Sequence, residues 1–169
     1  MAANELIKMY RQLHRQGNFH GYSIFPCVAT ITNLIERTEA KTLLDYGSGK
    51  GNQYFIKKVH HEWGGILPTL YDPGIKRYKQ LPSREFDGVI CTDVLEHLPE
   101  EEVEPTIQNL FEYANLFIVM SICTRKADKT LPDGRNCHLT IKPYEWWDKI
   151  IKHIHKAQPT LEVNTIYYD

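Results

Sequence analysis

At 169 residues with a formal net charge of −1, the chain has the size of one domain with room for a substantial core. Its 20 basic and 21 acidic residues give no global attraction to nucleic acid or to a membrane surface. The four cysteines, Cys27, Cys91, Cys123 and Cys137, lack C-x-x-C spacing, so they read as reduced thiols of a cytoplasmic protein rather than a disulfide framework or zinc site.

No apolar run approaches the length of a membrane span, and no signal-peptide core opens the chain. Residues 1–169 read as a single unit, with helices over 1–40 and a ligand-binding core over 41–169. No apolar heptad points to obligate pairing, so a monomer is expected.

Asn4 to Arg15 predicts a helix with Leu6, Met9, Tyr10 and Leu13 on one face and Gly17 as its stop. Its other face carries Lys8, Arg11 and Arg15, a solvated face or a meeting point for an anionic substrate. A glycine-aromatic stretch, Gly17 to Tyr22, leads into a second helix from about Pro26 to Arg37.

Thr42-Leu43-Leu44 is a short apolar strand, followed by glycines at alternate positions, Gly47, Gly49 and Gly51. Beyond them, Tyr54, Phe55 and Val59 predict the apolar face of a helix. A strand, a Gly-rich turn and a helix N-terminus together form a nucleotide-type site, because the backbone can approach a ligand closely and offers free N–H groups. The spacing is G-x-G-x-G, neither the dinucleotide fingerprint nor the Walker loop; Gly51 follows Lys50 where Ser or Thr would be needed. The next strand, Ile66 to Tyr71, ends at Asp72, 21 residues after Gly51, where an acid can accept hydrogen bonds from ribose hydroxyls. The adjacent His60 and His61 do not share a helix face and carry no metal reading.

Twelve residues, Gly74 to Glu85, then lead to a third strand, Phe86 to Thr92. Glu100, Glu101 and Glu102 precede a helix through about Tyr113, where they complement its dipole. Leu116 to Ile122 is a strongly apolar strand. The seventeen residues from Cys123 to Leu139 exceed an ordinary connection and carry Arg125, Lys126, Lys129, Arg135 and His138, which points to a substrate-facing loop. A helix opening at Pro143 packs Trp147, Ile150, Ile151 and Ile154 inward, and Leu161 to Ile166 alternates as a last strand.

From Thr42 to Trp147 the chain resembles the class I S-adenosylmethionine-dependent methyltransferases. LLDYGSGKG is similar to their first motif, YDP to their second, and FDGVICTDVLEHL to their fourth-strand segment. Its small size and the CHLTIKPYEWW segment further resemble compact bacteriophage-type members. The resemblance implies a reduced Rossmann-like α/β fold with a mostly parallel sheet, helices on both faces and a pre-motif lid to which Gly21, Tyr22 and Ser23 would belong. The twelve residues after Pro73 cannot hold the family's helix, strand and helix, so the third family strand is expected to be missing. Ile66 to Tyr71 then lies at the sheet edge, where Pro68 is tolerated.

Also implied is methyl transfer from S-adenosylmethionine to an unidentified acceptor, a small molecule or a ribose or other hydroxyl. A DNA base is disfavoured, because Thr92-Asp93-Val94 replaces both the Asn/Asp-Pro-Pro-Tyr/Phe and the Pro-Cys motifs of DNA enzymes. A binding module without turnover is the alternative. By resemblance Gly47, Ser48, Gly49 and Gly51 would admit the donor, with Asp45 at the turn, Asp72 on the ribose and Ile75 beside the adenine. Asp93, Val94 and Tyr22 would border the donor, and His97 or His138 would serve as general base. Asp93, Glu96 and His97 have i, i+3, i+4 spacing; with His138 they resemble the Glu-x-x-Glu-His plus distant His arrangement of metal-dependent relatives. That implies a Mg²⁺ or Mn²⁺ site, with the shorter Asp93 in place of the first Glu.

Overall fold

The computed structural model describes residues 3–17 and 19–169. Five strands form one sheet: β1 (Leu43–Tyr46), β2 (Thr69–Tyr71), β3 (Phe86–Thr92), β4 (Ala114–Cys123) and β5 (Glu162–Tyr168). Their spatial order is β2-β1-β3-β4-β5, and every neighbouring pair is parallel. Parallel strands buried on both faces read as nearly continuous apolar runs, as β4 does in Phe117 to Ile122.

Side chains alternate across the sheet, so neighbouring residues feed opposite cores. Leu44, Val89 and Ile118 face α4 (Glu100–Tyr113) and α5 (Tyr144–His155), meeting Val103, Ile107, Leu110, Trp147 and Ile151. Leu43, Ile90 and Phe117 face the other way, toward Ile31, Leu34 and Ile35 of α2 (Val28–Thr38). Helices on both faces of a parallel sheet match the expected class.

The sheet edge also matches. Residues 74–85 contribute no strand, and β2 ends the sheet among the described residues, with Pro68 just before its first residue. β5 runs parallel to β4.

Three local expectations are corrected. The second helix begins at Val28, after a separate 3-10 turn over Phe25–Cys27 that contains Pro26. The helix after the glycine turn is one turn long, α3 (Asn52–Phe55), because Lys58 takes a left-handed conformation and a 3-10 turn, Val59–Trp63, follows. Phe55 is therefore 49% exposed while Tyr54 and Val59 are buried, and so short a helix supplies little dipole. The strand expected from Ile66 shrinks to the three residues of β2.

α1 (Ala3–Arg15) has the apolar face foreseen for it, yet packs on neither face of the sheet. Leu6 and Leu13 pack against Leu131 and Cys137 of the long loop after β4, with Met9, Tyr10 and Phe19 beside them. α1 and that loop together roof the C-terminal edge of the sheet. No helix among the described residues is long and apolar enough to cross a membrane.

Candidate active site

A cleft of about 460 Å³ opens under that roof, at the ends of β1, β2, β3 and β4. Open α/β sheets bind ligands at this edge, where the strand order reverses. The glycine turn forms its floor. Gly47 N–H and Ser48 N–H both donate to Tyr71 O, at 2.8 and 3.0 Å, which lashes the turn to the end of β2. Gly47 has φ +85°, and a Cβ there would stand 2.2 Å from Val94 Cγ2. Only glycine fits that close approach.

Asp45 lies beneath the turn rather than on the cleft wall. Its carboxylate accepts from Gln53 Nε2 at 2.9 Å and from the Tyr54 hydroxyl at 2.8 Å. Burial pushes its pKa up to about 6, against the pull of those two hydrogen bonds. Asp72 does line the cleft. It accepts from Gly49 N–H at 2.9 Å and Gly74 N–H at 2.7 Å, and His14 Nε2 of α1 sits 3.8 Å away. Burial raises the Asp72 carboxyl, while His14 and the backbone donors oppose that shift. The His14 imidazole is pushed down by its own burial, against the attraction of Asp72.

Around the turn, buried polar atoms lack partners within the protein: Ser48 Oγ, Gln53 Oε1 and His14 Nδ1. All three residues line the cleft. Each such atom costs about 1–3 kcal/mol unless something pairs with it. The polar groups here, a carboxylate, a hydroxyl and an amide oxygen, fit a polar nucleoside-bearing ligand. Gly21, Tyr22 and Ser23 also reach the wall, with Ser23 Oγ 3.2 Å from Thr92 Oγ1. Gly51 and Ile75 are next to the cleft in sequence but do not line it.

The stretch after β3 departs from expectation. Asp93 takes a left-handed conformation, φ +55°, and Leu95–His97 is a 3-10 turn, so Asp93, Glu96 and His97 do not share one helical face. The Asp93 carboxylate accepts from Ser121 Oγ at 3.0 Å and from the Tyr168 hydroxyl. Glu96 is fully buried, its Oε1 accepting from Cys123 N–H at 2.9 Å. Its carbonyl accepts from Leu139 and Thr140 N–H, so Glu96 ties the end of β4 to the exit of the long loop. Burial and the nearby Asp93 push its carboxyl up to about 8. The metal reading of Asp93, Glu96, His97 and His138 is therefore corrected: among the described residues no three His, Cys, Asp or Glu side chains converge in metal-binding geometry.

His97 and His138 do come together, with ring centroids 4.8 Å apart at 85°. His97 Nδ1 is 2.9 Å from Cys137 O, and His138 Nδ1 is 2.7 Å from Arg125 O. A carbonyl can only accept, so each Nδ1 carries a proton, and in the neutral form of each ring the lone pair is on Nε2. Burial and the neighbouring His138 push His97 down to about 3, so it stays neutral.

Tyr10, Phe19, His14 and Tyr168 line the cleft too, although sequence reading placed none of them in a site. The Tyr10 hydroxyl lies 2.8 Å from Cys137 O and 2.9 Å from His97 O, pinning α1 to the loop. The long loop is folded on itself: the Asn136 amide brackets Ala127 with bonds of 3.0 and 2.7 Å, and its oxygen also accepts from His138 N–H. Of the loop residues singled out from the sequence, Arg125, Lys129 and His138 reach the cleft.

No protein-family model matches the chain, and no curated protein matches it either. Among solved structures it is similar to the crystal structure of Burkholderia thailandensis 1,6-didemethyltoxoflavin-N1-methyltransferase with bound 1,6-didemethyltoxoflavin and S-adenosylhomocysteine. The TM-score is 0.58 at 15% identity, covering 92% of this chain and 80% of that one. At that identity the likeness establishes the architecture, a methyltransferase-like Rossmann fold.

Proposed function

We propose that the protein is an S-adenosylmethionine-dependent methyltransferase acting on a small-molecule acceptor. The observation that carries this reading is the cluster of unpartnered buried polar atoms, Ser48 Oγ, Gln53 Oε1 and His14 Nδ1, around the glycine turn and the Asp72 carboxylate. The ligands bound to the structurally similar Burkholderia enzyme, S-adenosylhomocysteine and a small heterocycle, support the same assignment of donor and acceptor class.

Bound there, the donor supplies an electrophilic methyl on a sulfonium. Gly47, Ser48 and Gly49 carry little or no side chain, so its methionine and ribose parts would lie close to the backbone, and Asp72 would accept from the ribose hydroxyls. Asp45 holds the turn from below, and Gly51 admits the chain into α3; Ile75, expected beside the adenine, stands outside the cleft wall. Tyr22 covers the donor, while Asp93 and Val94 separate it from the acceptor. Catalysis rests largely on holding the methyl and the acceptor atom in line with water excluded. Of the two histidines, His138 is the better base, because the surroundings of His97 oppose a positive charge on its ring. The buried, free thiols fit a protein working in a reducing cytoplasm.

Incubation with methyl-labelled S-adenosylmethionine and a panel of small acceptors tests this. Label should appear in an organic product in the presence of wild-type protein and fall strongly with Asp72→Ala. Transfer unaffected by Asp72→Ala would refute the site assignment.

A further inference from the structure

The end of the cleft away from the glycine turn is built from rings. Tyr10, Phe19 and His138 stand edge-on to His97, at centroid distances of 5.5, 6.0 and 4.8 Å. Such a wall favours a flat π-system over an aliphatic chain. Its polar atoms are biased toward one role. Both imidazoles spend their Nδ1–H on carbonyls, the Tyr10 hydroxyl is spent on Cys137 O and His97 O, and what remains is lone pairs on the two Nε2 atoms. A ligand satisfies that wall by bringing hydrogen-bond donors of its own.

The charges at this end point the same way. Lys129 flanks it, its Nζ 5.2 Å from the centre of the Phe19 ring, beside Arg125, whose charge is paired with Asp128 at 3.4 Å. Burial keeps His97 neutral, and the positive charge of Lys129, which adds to that effect, also favours negative charge on a bound group. The whole cleft, about 460 Å³, lies in the lower half of the usual range for ligand pockets and must take a nucleoside-bearing donor as well.

We propose that the acceptor is a small planar unsaturated ring carrying a weakly acidic N–H or O–H, seated against Phe19, His97 and His138, an assignment that rests on the methyltransferase reading above. In the transfer, a lone pair on the ring nitrogen or oxygen forms the new bond to carbon as the sulfur–carbon bond breaks. The bonding pair stays on sulfur, and the acceptor proton passes to Nε2 of His138. A neutral imidazole is too weak a base for a ribose or aliphatic hydroxyl but well matched to a phenol, enol or imide.

Probe binding tests this without turnover. The full chain saturated with S-adenosylhomocysteine is titrated with 3-nitrophenol, 3-nitrobenzyl alcohol and methyl ribofuranoside, in neutral buffer, where the phenol keeps its proton and an ordinary imidazole its lone pair. The phenol should bind roughly tenfold tighter than the alcohol that shares its ring, the worth of one well-made hydrogen bond, and the sugar should not saturate. His138→Phe, which keeps a ring and removes Nε2, should bring the two nitro probes to within about twofold of each other. Phe19→Leu should weaken both alike. Equal affinities in the wild type, tighter binding of the sugar, or no binding of either nitro probe at millimolar concentration would overturn the proposal. Should S-adenosylhomocysteine itself fail to bind, the donor reading falls, and the same titration without it still reports on the wall.

Discussion

The two ends of the cleft are built on different principles. At the glycine turn, recognition is mostly backbone and short-range: Gly47 and Ser48 are fastened to Tyr71 O, and Asp72 to Gly49 N–H, all at neighbouring strand ends. At the ring-lined end, recognition is side chain and long-range. Tyr10 reaches Cys137 across 127 positions, and Tyr168 reaches Asp93 across 75. The first end is fixed by the sheet that carries it. The second exists only once α1, the loop from Cys123 to Leu139 and β5 have assembled. A donor shared by many acceptors suits the first kind of construction, and acceptor choice suits the second, since loops vary while strands do not.

The largest expected effect comes from breaking the backbone end. Gly47→Ala places a Cβ 2.2 Å from Val94 Cγ2 at a φ of +85°. It should cost roughly 2–4 kcal/mol in a urea melt. Val94→Ala added to it should restore part of the loss, because the clash goes and the backbone strain stays. A Gly47→Ala protein as stable as wild type would show that the turn is not held as described.

Glu96 braces the ring-lined end, tying β4 to the exit of the long loop, and its effect depends on pH. Its carboxyl is raised from 4.5 to about 8, so the folded state holds a proton that the unfolded chain gives up. The contribution of Glu96 is therefore complete below pH 4.5 and is lost as pH rises through about 8. Glu96→Gln keeps a neutral acceptor for Cys123 N–H and should gain roughly 2 kcal/mol over wild type in alkaline buffer. At acid pH the two should melt together. A gain at acid pH that vanishes in alkali would contradict the assignment.

Smaller effects should separate the ends. Tyr10→Phe removes the hydroxyl that pins α1 to Cys137 and His97 and should cost about 1 kcal/mol of stability. S-adenosylhomocysteine affinity should stay within about twofold of wild type, because the proposed donor site is at the other end. A large loss of donor affinity in this variant would merge the two regions into one.

The same division explains what could be read from the sequence. LLDYGSGKG and YDP are local patterns whose glycines and terminal acid follow directly from strand ends, so the parallel sheet, the edge position of β2 and the place of Asp72 were legible. Spacing failed wherever one backbone angle overruled it. The left-handed Asp93 turned a presumed helical face into a 3-10 turn with Glu96 facing inward, and the left-handed Lys58 cut α3 to one turn. Tyr10 was visible as an apolar-face residue of α1, but periodicity cannot tell a core contact from a cleft wall. Tyr168 belongs to the site only because β5 runs parallel to β4, which brings its end beside Asp93.

The central claim is that the glycine turn and Asp72 form a site for the methyl donor, and calorimetric titration of S-adenosylhomocysteine into the wild-type chain and Asp72→Ala tests it most directly. The account predicts wild-type affinity in the micromolar range, about 8 kcal/mol of binding free energy. Asp72→Ala should weaken it by roughly 1–3 kcal/mol, since the ribose hydroxyls lose a charged partner. No heat from the wild type at high ligand concentration, or equal affinity in the variant, would contradict it.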